Sequence, residues 1–187
     1  MKNKFGDFII QIITVMIGVF LGFAVSNWSE SEKEEAQTQT LLTNIATEIR
    51  DNQQRITKRI DYPRMLRDTT RHYLREENLT DYKPSFFRGL NTISFLNSAF
   101  ETGVQTGLIN DLSIDKLQTL NTTYRQQRSY DEFANIILSG MFSLDFEPSE
   151  KATRRILLFL SISMTDIVIK EEQLLESYEK ALSLLEE

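Results

Sequence analysis

The sequence contains no cysteine, and His72 is its only histidine. The absence of cysteine excludes disulfides, thiol nucleophiles and thiolate metal sites, and a single histidine excludes a metal site built from several histidines of one chain. Proline and glycine are also scarce, with 3 and 7 among 187 residues. Because these two residue types most often end helices and form turns, their scarcity predicts a few long helices.

Catalytic motifs are equally absent from the sequence. It has no HExxH, GxSxG or Walker motif, and Gly103 and Gly107 are not followed by the Lys-Ser or Lys-Thr of a phosphate-binding loop. Carboxylates are abundant, but none of them forms a metal-binding or acid–base signature. The net charge of -6 also argues against nucleic-acid binding. We therefore expect a protein that is not an enzyme, needs no cofactor or metal and has no nucleic-acid partner.

One long apolar run is present, residues 8–29, and it carries no charge between Asp7 and Glu30. Because about 20 helical residues cross a ~30 Å hydrocarbon layer, the run is long enough to span a membrane. No polar face interrupts it, which disfavours a buried helix of a soluble core. Residues 24–26 (Ala-Val-Ser) resemble a signal-peptide cleavage site, but the run is long for a signal. An uncleaved transmembrane helix is the favoured interpretation.

The charges on the two sides of the run predict its orientation. Lys2, Lys4 and the amino terminus precede it, whereas four glutamates and one lysine follow it within residues 30–35. The excess of lysine on the first side places residues 1–7 in the cytoplasm and the rest of the chain outside, which is the periplasm of a Gram-negative cell. We therefore expect a single-pass protein of the bacterial inner membrane.

Within the run, Gly18, Gly22 and Ser26 lie four residues apart and share one helix face. Small residues at this spacing allow two membrane helices to approach closely. The spacing predicts that the helix pairs with a second copy or with another protein's membrane helix. Trp28 stands at the end of the run, where aromatic side chains commonly lie at the membrane–water interface. The expected partners are thus the lipid bilayer and another membrane protein or the chain itself.

Residues 30–62 are predicted to form a membrane-proximal stalk helix. Apolar residues repeat along it three, four and seven residues apart, at Leu42, Ile45, Ile49, Ile56 and Ile60. Asn52 and Arg59 interrupt the 3.5-residue repeat, which favours packing in a bundle over a dimeric coiled coil. Residues 63–187 are expected to form an extracytoplasmic bundle domain that packs with the stalk. The predicted fold class is all-α, an N-terminal transmembrane helix continuing into a periplasmic antiparallel helical bundle.

Further boundaries and core residues of this domain follow from capping residues and periodicity. A loop is predicted at residues 81–84, a helix end at Gly107, a helix start near Ser113 and another near Pro148. The short apolar run 156–164 is predicted to be the buried centre of the last helix, because nine residues cannot span a bilayer. Other predicted core residues are Phe86, Phe87, Phe95, Phe100, Leu117, Leu120, Tyr124, Ala134 and Leu138.

Four arginines, Arg64, Arg67, Arg71 and Arg75, follow at spacings of three, four and four and predict a cationic stripe on one helix face. Residues 50–75 contain eight Lys or Arg against three Asp, and residues 170–187 contain six Glu against two Lys. Two interpretations stay open. In the first, the stripe docks an acidic partner or anionic lipid headgroups; in the second, it is a solvated face or packs against the acidic C-terminal helix.

Several short motifs resemble an uncharacterised family of small single-span bacterial membrane proteins that is frequent in Bacteroidota. They are residues 27–30 (Asn-Trp-Ser-Glu) at the exit of the span, Leu41, Ile45 and Glu48-Ile49 in the next helix, residues 106–110 (Thr-Gly-Leu-Ile-Asn), and Leu117, Leu120 and Tyr124. Family members commonly have Asn-Trp-Asn-Glu at the exit, where this chain has Ser29. The resemblance implies a membrane-anchored helical domain without an assigned activity, and it implies no catalytic residues.

These observations predict a non-enzymatic structural or accessory protein, anchored in the membrane, that binds another protein or itself through its span and helical domain. The alternative is a membrane-anchored sensor or ligand-binding module. Only seven residues precede the span, so such a sensor would signal through a partner's membrane helix.

Overall fold

The computed structural model describes residues 4–75, 79 and 85–186, and within them all side chains except those of residues 4–7, 9 and 10. The predicted loop at 81–84 lies outside the described residues. Five α-helices are described: α1 (Lys4–Thr57), α2 (Asp61–Tyr73), α3 (Ser98–Thr106), α4 (Ile114–Phe142) and α5 (Glu150–Glu186). A short 3-10 helix, Leu108–Asp111, joins α3 to α4. The described residues contain no strand, which confirms the all-α class.

Helix α1 is a single helix of 54 residues, about 80 Å long at 1.5 Å per residue. All side chains of residues 11–37 are exposed, and burial against the rest of the chain begins only around Leu41. An 18-residue stretch of this exposed part has a mean hydropathy of 1.8, and none of that stretch is buried. The N-terminal part of α1 is therefore long and apolar enough to cross a membrane.

The described residues from 38 to 186 form the folded body, and α5 is its central element. Arg50 of α1 contacts Glu186, Arg64 of α2 contacts Glu172, and Arg71 of α2 contacts Thr165, each with an N···O distance of 2.7 or 2.8 Å. The contacts therefore move steadily toward the N-terminus of α5 as the chain passes from α1 into α2. On its other side α5 packs against α4, where Gln127 contacts Tyr178 and Ser129 contacts Lys170.

The core of the body follows the 3.6-residue period of each helix. Buried side chains on α1 and α5 include Leu41, Ile45, Ile49, Ile56, Leu160, Ser163, Ile167, Leu174, Tyr178 and Ala181. Leu41 takes the buried position that the sequence pattern assigned to Leu42. The predicted burial of the whole run 156–164 is wrong, because Leu158 and Ile162 are 51% and 56% exposed. Each lies two residues, or about 200°, from buried Leu160 and points to the opposite side.

Of the remaining residues predicted to lie in the core, most are buried or partly buried and one is exposed. Leu120, Tyr124, Ala134, Phe95 and Phe100 are buried, while Phe86, Phe87 and Leu117 are partly buried against the core. Leu138 is 47% exposed, so its predicted burial is wrong.

The predicted helix caps are confirmed. Gly107 ends α3 with φ +79°, a left-handed conformation that glycine adopts without strain. The hydroxyl of Ser113 accepts a hydrogen bond from the Lys116 N–H at the start of α4. The hydroxyl of Ser149 accepts one from the Ala152 N–H, and α5 begins at Glu150, two residues after the predicted Pro148.

Residues 87–97 form neither helix nor strand and lie along α1 and α2. Side chains from the helices supply partners for their backbone groups. The Tyr62 hydroxyl donates to the Gly89 carbonyl and accepts from the Arg88 N–H. The Asn52 amide donates to the Leu96 carbonyl at 2.7 Å and accepts from the Leu96 N–H at 2.8 Å. The fully buried Asn52 thus does not interrupt the core but holds this extended segment in place.

We predict that Asn52→Ala lowers the free energy of unfolding by about 2–3 kcal/mol, because the N–H and C=O of Leu96 lose their partner together. Urea denaturation of the full chain in detergent micelles measures this change. The matched control is Asn44→Ala, which removes the same side chain from an exposed position of the same helix. Its expected cost is below about 0.5 kcal/mol, and equal effects of the two substitutions would contradict the assigned role of Asn52.

Candidate functional site

The small residues of the apolar segment lie on a side of α1 that no other described residue covers. Gly22 precedes the buried Ile45 by 23 residues, which places it about 140° around the helix from the core-facing line. A Cβ atom added to Gly18 or Gly22 would meet nothing within 4 Å. Ser26 and Trp28 are exposed as well, Trp28 by 67%. The structure therefore leaves this face of α1 free within the described chain.

The same helix face continues beyond the apolar segment. Ala36, Thr40 and Asn44 follow Gly18, Gly22 and Ser26 by 18 residues, which is five complete helical turns. The Thr40 hydroxyl donates to the carbonyl of Ala36 in its own helix. These three residues line one wall of a cleft of about 530 Å³ between α1 and α3, which Leu41 and Leu108 also line. The cleft begins at Lys33, five residues beyond Trp28.

The arginine stripe does not point uniformly to solvent. Arg64 forms an ion pair with Glu172 of α5 at 2.7 Å, and Arg71 donates to the Thr165 hydroxyl of the same helix. Arg67 pairs with its neighbour Asp68 at 2.7 Å, and this contact raises the pKa of Arg67 and lowers the pKa of Asp68. Arg75 lies beyond the end of α2 and is exposed. Two of the four arginines thus contact α5. These contacts agree with the interpretation in which the stripe packs against the acidic C-terminal helix.

A second polar group lies inside the body, around the buried Glu48 of α1. Its Oε1 accepts a hydrogen bond from the Tyr124 hydroxyl at 2.6 Å, and its Oε2 accepts one from the Ala99 N–H at 2.8 Å. Ala99 is in the first turn of α3, where backbone N–H groups have no helical partner and favour a negative charge. The ring of Tyr124 stacks on Phe100 with centroids 4.0 Å apart. Glu48 therefore joins α1, α3 and α4 at one point.

The third polar group is centred on Glu171 of α5, which is only 2% exposed. Its Oε1 accepts a hydrogen bond from the Tyr130 hydroxyl of α4 at 3.1 Å, and that hydroxyl also accepts from the Ile93 N–H of the extended segment at 3.2 Å. Oε2 is buried and forms no hydrogen bond with the described residues. Burial raises the pKa of Glu171 from 4.5 to about 7, although the hydrogen bond from Tyr130 and the charge of Arg64 act against this rise.

The sequence analysis assigned no role to Glu48, Tyr130 or Glu171. A signal for the two glutamates was present, because each occupies a core position of an apolar helical repeat. Glu48 follows Ile45 by three residues, and Glu171 follows Ile167 by four. A charge at such a position has to be paired or neutralised when the helix packs.

Among the described residues, no group of three or more His, Asp or Glu side chains could hold a metal ion. A polar cleft of about 370 Å³ lies between α4 and α5 and is lined by Asp115, Thr119, Ser177 and Lys180 among others. No protein-family model, curated protein or solved structure matches the chain.

We predict that the free energy of unfolding falls as the pH rises from about 4.5 to about 7. In this window the buried Glu171 keeps a proton that the same carboxyl has lost in the unfolded chain, so raising the pH favours unfolding. At about 1.4 kcal/mol per pKa unit the total loss is roughly 3 kcal/mol. Urea denaturation of the full chain in detergent micelles between pH 4.5 and 8.5 measures it.

The difference between the wild-type chain and Glu171→Gln isolates this carboxyl, because other titrating groups remain in both. The glutamine variant is expected to have the flatter profile and to be the more stable one at pH 8. The control Glu179→Gln changes an exposed glutamate of the same helix and should keep the wild-type slope. A slope that persists unchanged in Glu171→Gln would refute the assignment.

Proposed function

We propose that the chain is a structural or accessory protein of the bacterial inner membrane, without enzymatic activity, that binds another membrane protein or a second copy of itself. In this proposal residues 1–7 are cytoplasmic, residues 8–29 span the membrane once, and the remainder is an antiparallel helical bundle in the periplasm. The resemblance to uncharacterised single-span membrane proteins implies the same arrangement.

The observation that carries the proposal is the free, small-residue face of the apolar segment. Glycine inside a helix costs about 1 kcal/mol relative to alanine. Outside the backbone of its own helix, a Cβ at Gly18 or Gly22 would meet no atom of the described residues within 4 Å, so no contact among them accounts for the two glycines. A second helix packed closely against this face does account for them, because small residues allow the backbones to approach.

Charge and aromatic placement support the proposed topology. Lys2 and Lys4 precede the apolar segment, and the residues that follow it are mainly glutamates. Trp28, exposed at the end of the segment, suits the membrane–water interface. The contacts of Arg50, Arg64 and Arg71 with successively earlier residues of α5 support the antiparallel arrangement.

We predict that Gly18→Ile/Gly22→Ile abolishes the association, because four-carbon side chains keep the two helices apart. The measurement is gentle solubilisation of the tagged full-length chain, followed by native mass spectrometry of what remains bound. The matched control is Ala24→Ile, which adds an isoleucine two residues, or about 200°, away from Gly22. The control should retain the stoichiometric partner or second copy that the wild type carries.

Crosslinking in native membranes shows whether the wild-type chain associates with a partner or with a second copy of itself. A wild-type chain that remains monomeric there would refute the proposal, as would equal losses in the double variant and the Ala24→Ile control. The absence of cysteine is useful, because Ser26→Cys introduces the only thiol of the chain. Disulfide formation between copies of this variant identifies self-association, whereas its failure combined with a retained second protein identifies a different partner.

A ligand-binding module that signals through a partner's membrane helix is the second candidate. The observation in its favour is the polar cleft between α4 and α5, where Asp115 and Lys180 supply charges of both signs. A ligand screen by thermal shift on the full chain tests it, because a ligand that binds only the folded state raises the unfolding midpoint. No shift with any compound class would leave the accessory role as the sole candidate.

A further inference from the structure

Three elements of the body meet at the buried carboxyl of Glu171. Tyr130 of α4 links it to the extended segment, because the same hydroxyl donates to Glu171 and accepts from the Ile93 N–H. Phe95 of that segment packs edge-on against the Tyr130 ring with centroids 5.1 Å apart. Beside the direct packing of Phe95 on Tyr178 of α5, the contact of α4 and α5 with residues 87–97 therefore includes one titratable group, Glu171.

The second observation is the buried Oε2 of Glu171, which accepts no hydrogen bond among the described residues. A neutral carboxyl tolerates such a position at moderate cost, whereas a carboxylate there needs a donor or a cation. The charged and titratable groups around it are Arg64 on α2, Tyr130 and Asp131 on α4, and Glu172 on α5 itself. Arg64 is the cation among them, and it is paired with Glu172 at 2.7 Å.

We propose that Glu171 and Arg64 form a pH-operated latch in which the charge of Glu171 sets how firmly residues 87–97 are held on α4 and α5. When Glu171 is neutral, Arg64 stays on Glu172 at the surface and the segment is closed. When Glu171 loses its proton to water, the carboxylate draws Arg64 or solvent inward, and the packing of Tyr130 and Phe95 loosens. The rise of the Glu171 pKa to about 7 places this change near neutral pH.

The geometry also says which way the latch works. Opening the site would give the carboxylate the water that its buried Oε2 lacks, so high pH favours the loosened state. Arg64 is only half-buried and forms two exposed ion pairs, with Glu172 at 2.7 Å and with Asp61 at 3.7 Å. Such pairs contribute little to stability and are easily exchanged. The latch is independent of the proposed partner binding and requires only the folded chain.

Hydrogen–deuterium exchange of residues 89–97 in the full chain, in detergent micelles at pH 6 and pH 8, tests the latch. After correction for intrinsic exchange rates, the wild-type segment is expected to lose about tenfold in protection between pH 6 and pH 8. Opening becomes about tenfold more favourable for each pH unit over which only the closed state keeps the proton, and between these two pH values that range is pH 6 to about pH 7. In Glu171→Gln, which stays neutral, protection should be equal at the two pH values. A flat wild-type profile, or a loss that persists in Glu171→Gln, overturns the proposal.

Two further variants keep the test decisive. Glu172→Gln removes the competing partner of Arg64, so the pH of opening should fall while the opening itself remains. Tyr130→Phe removes the hydrogen bond that lowers the Glu171 pKa, so the pH of opening should rise, and this variant serves even if Glu171→Gln does not fold. Unchanged midpoints in both variants would show that residues 87–97 open for reasons unrelated to Glu171, which also overturns the proposal.

Discussion

The body depends on one constraint, which is that the backbone groups of a non-helical segment packed among helices need hydrogen-bond partners. Residues 87–97 form no regular structure of their own, so the helices around them supply polar side chains for this purpose. Asn52, Tyr62 and Tyr130 each bind backbone atoms of the segment. Glu48 does the same for the first turn of α3, where the segment ends. Four of the buried or partly buried polar side chains of this helical body, those of Asn52, Tyr62, Tyr130 and Glu48, thus serve the backbone of the segment and of the helix turn that follows it.

Much of the fold could be predicted from the sequence because it is encoded locally. The apolar segment, the caps at Gly107 and Ser113 and the apolar repeats of α1 and α5 depend on spacing and on neighbouring residues. The roles of Glu48, Asn52 and Glu171 depend on residues 41 to 76 positions away in the chain. No local pattern reports such pairings, so Asn52 was interpreted as an interruption of a repeat. The exposure of Leu158 and Ile162 was missed for a related reason, since a run of apolar residues does not show which neighbours cover it.

In the candidate site, too, the local spacing of residues could be predicted from the sequence, whereas their contacts depend on the tertiary fold. The spacing of Gly18, Gly22 and Ser26 was visible in the sequence, but only the structure shows that no described residue of the body covers them. The arginine stripe was visible too, and the sequence left open whether it serves a partner or the chain's own acidic helix. The pairing of Arg64 with Glu172 and the contact of Arg71 with Thr165 follow from the alignment of α2 along α5. That alignment is a property of the tertiary fold.

The unbroken course of α1 has a mechanical consequence. From Trp28 to Thr57 the helix continues for 29 residues, about 44 Å, with no proline or glycine at which it could bend. A rod of this length acts as a lever arm, and a tilt of about 10° at its base displaces the far end by roughly 8 Å. In the proposed membrane arrangement, membrane thickness, or a neighbour that changes the tilt of the apolar part, would thus move the whole body over the membrane surface. A rotation of α1 about its axis would likewise be transmitted to the buried Ile45 and Ile49, because they belong to the same uninterrupted helix.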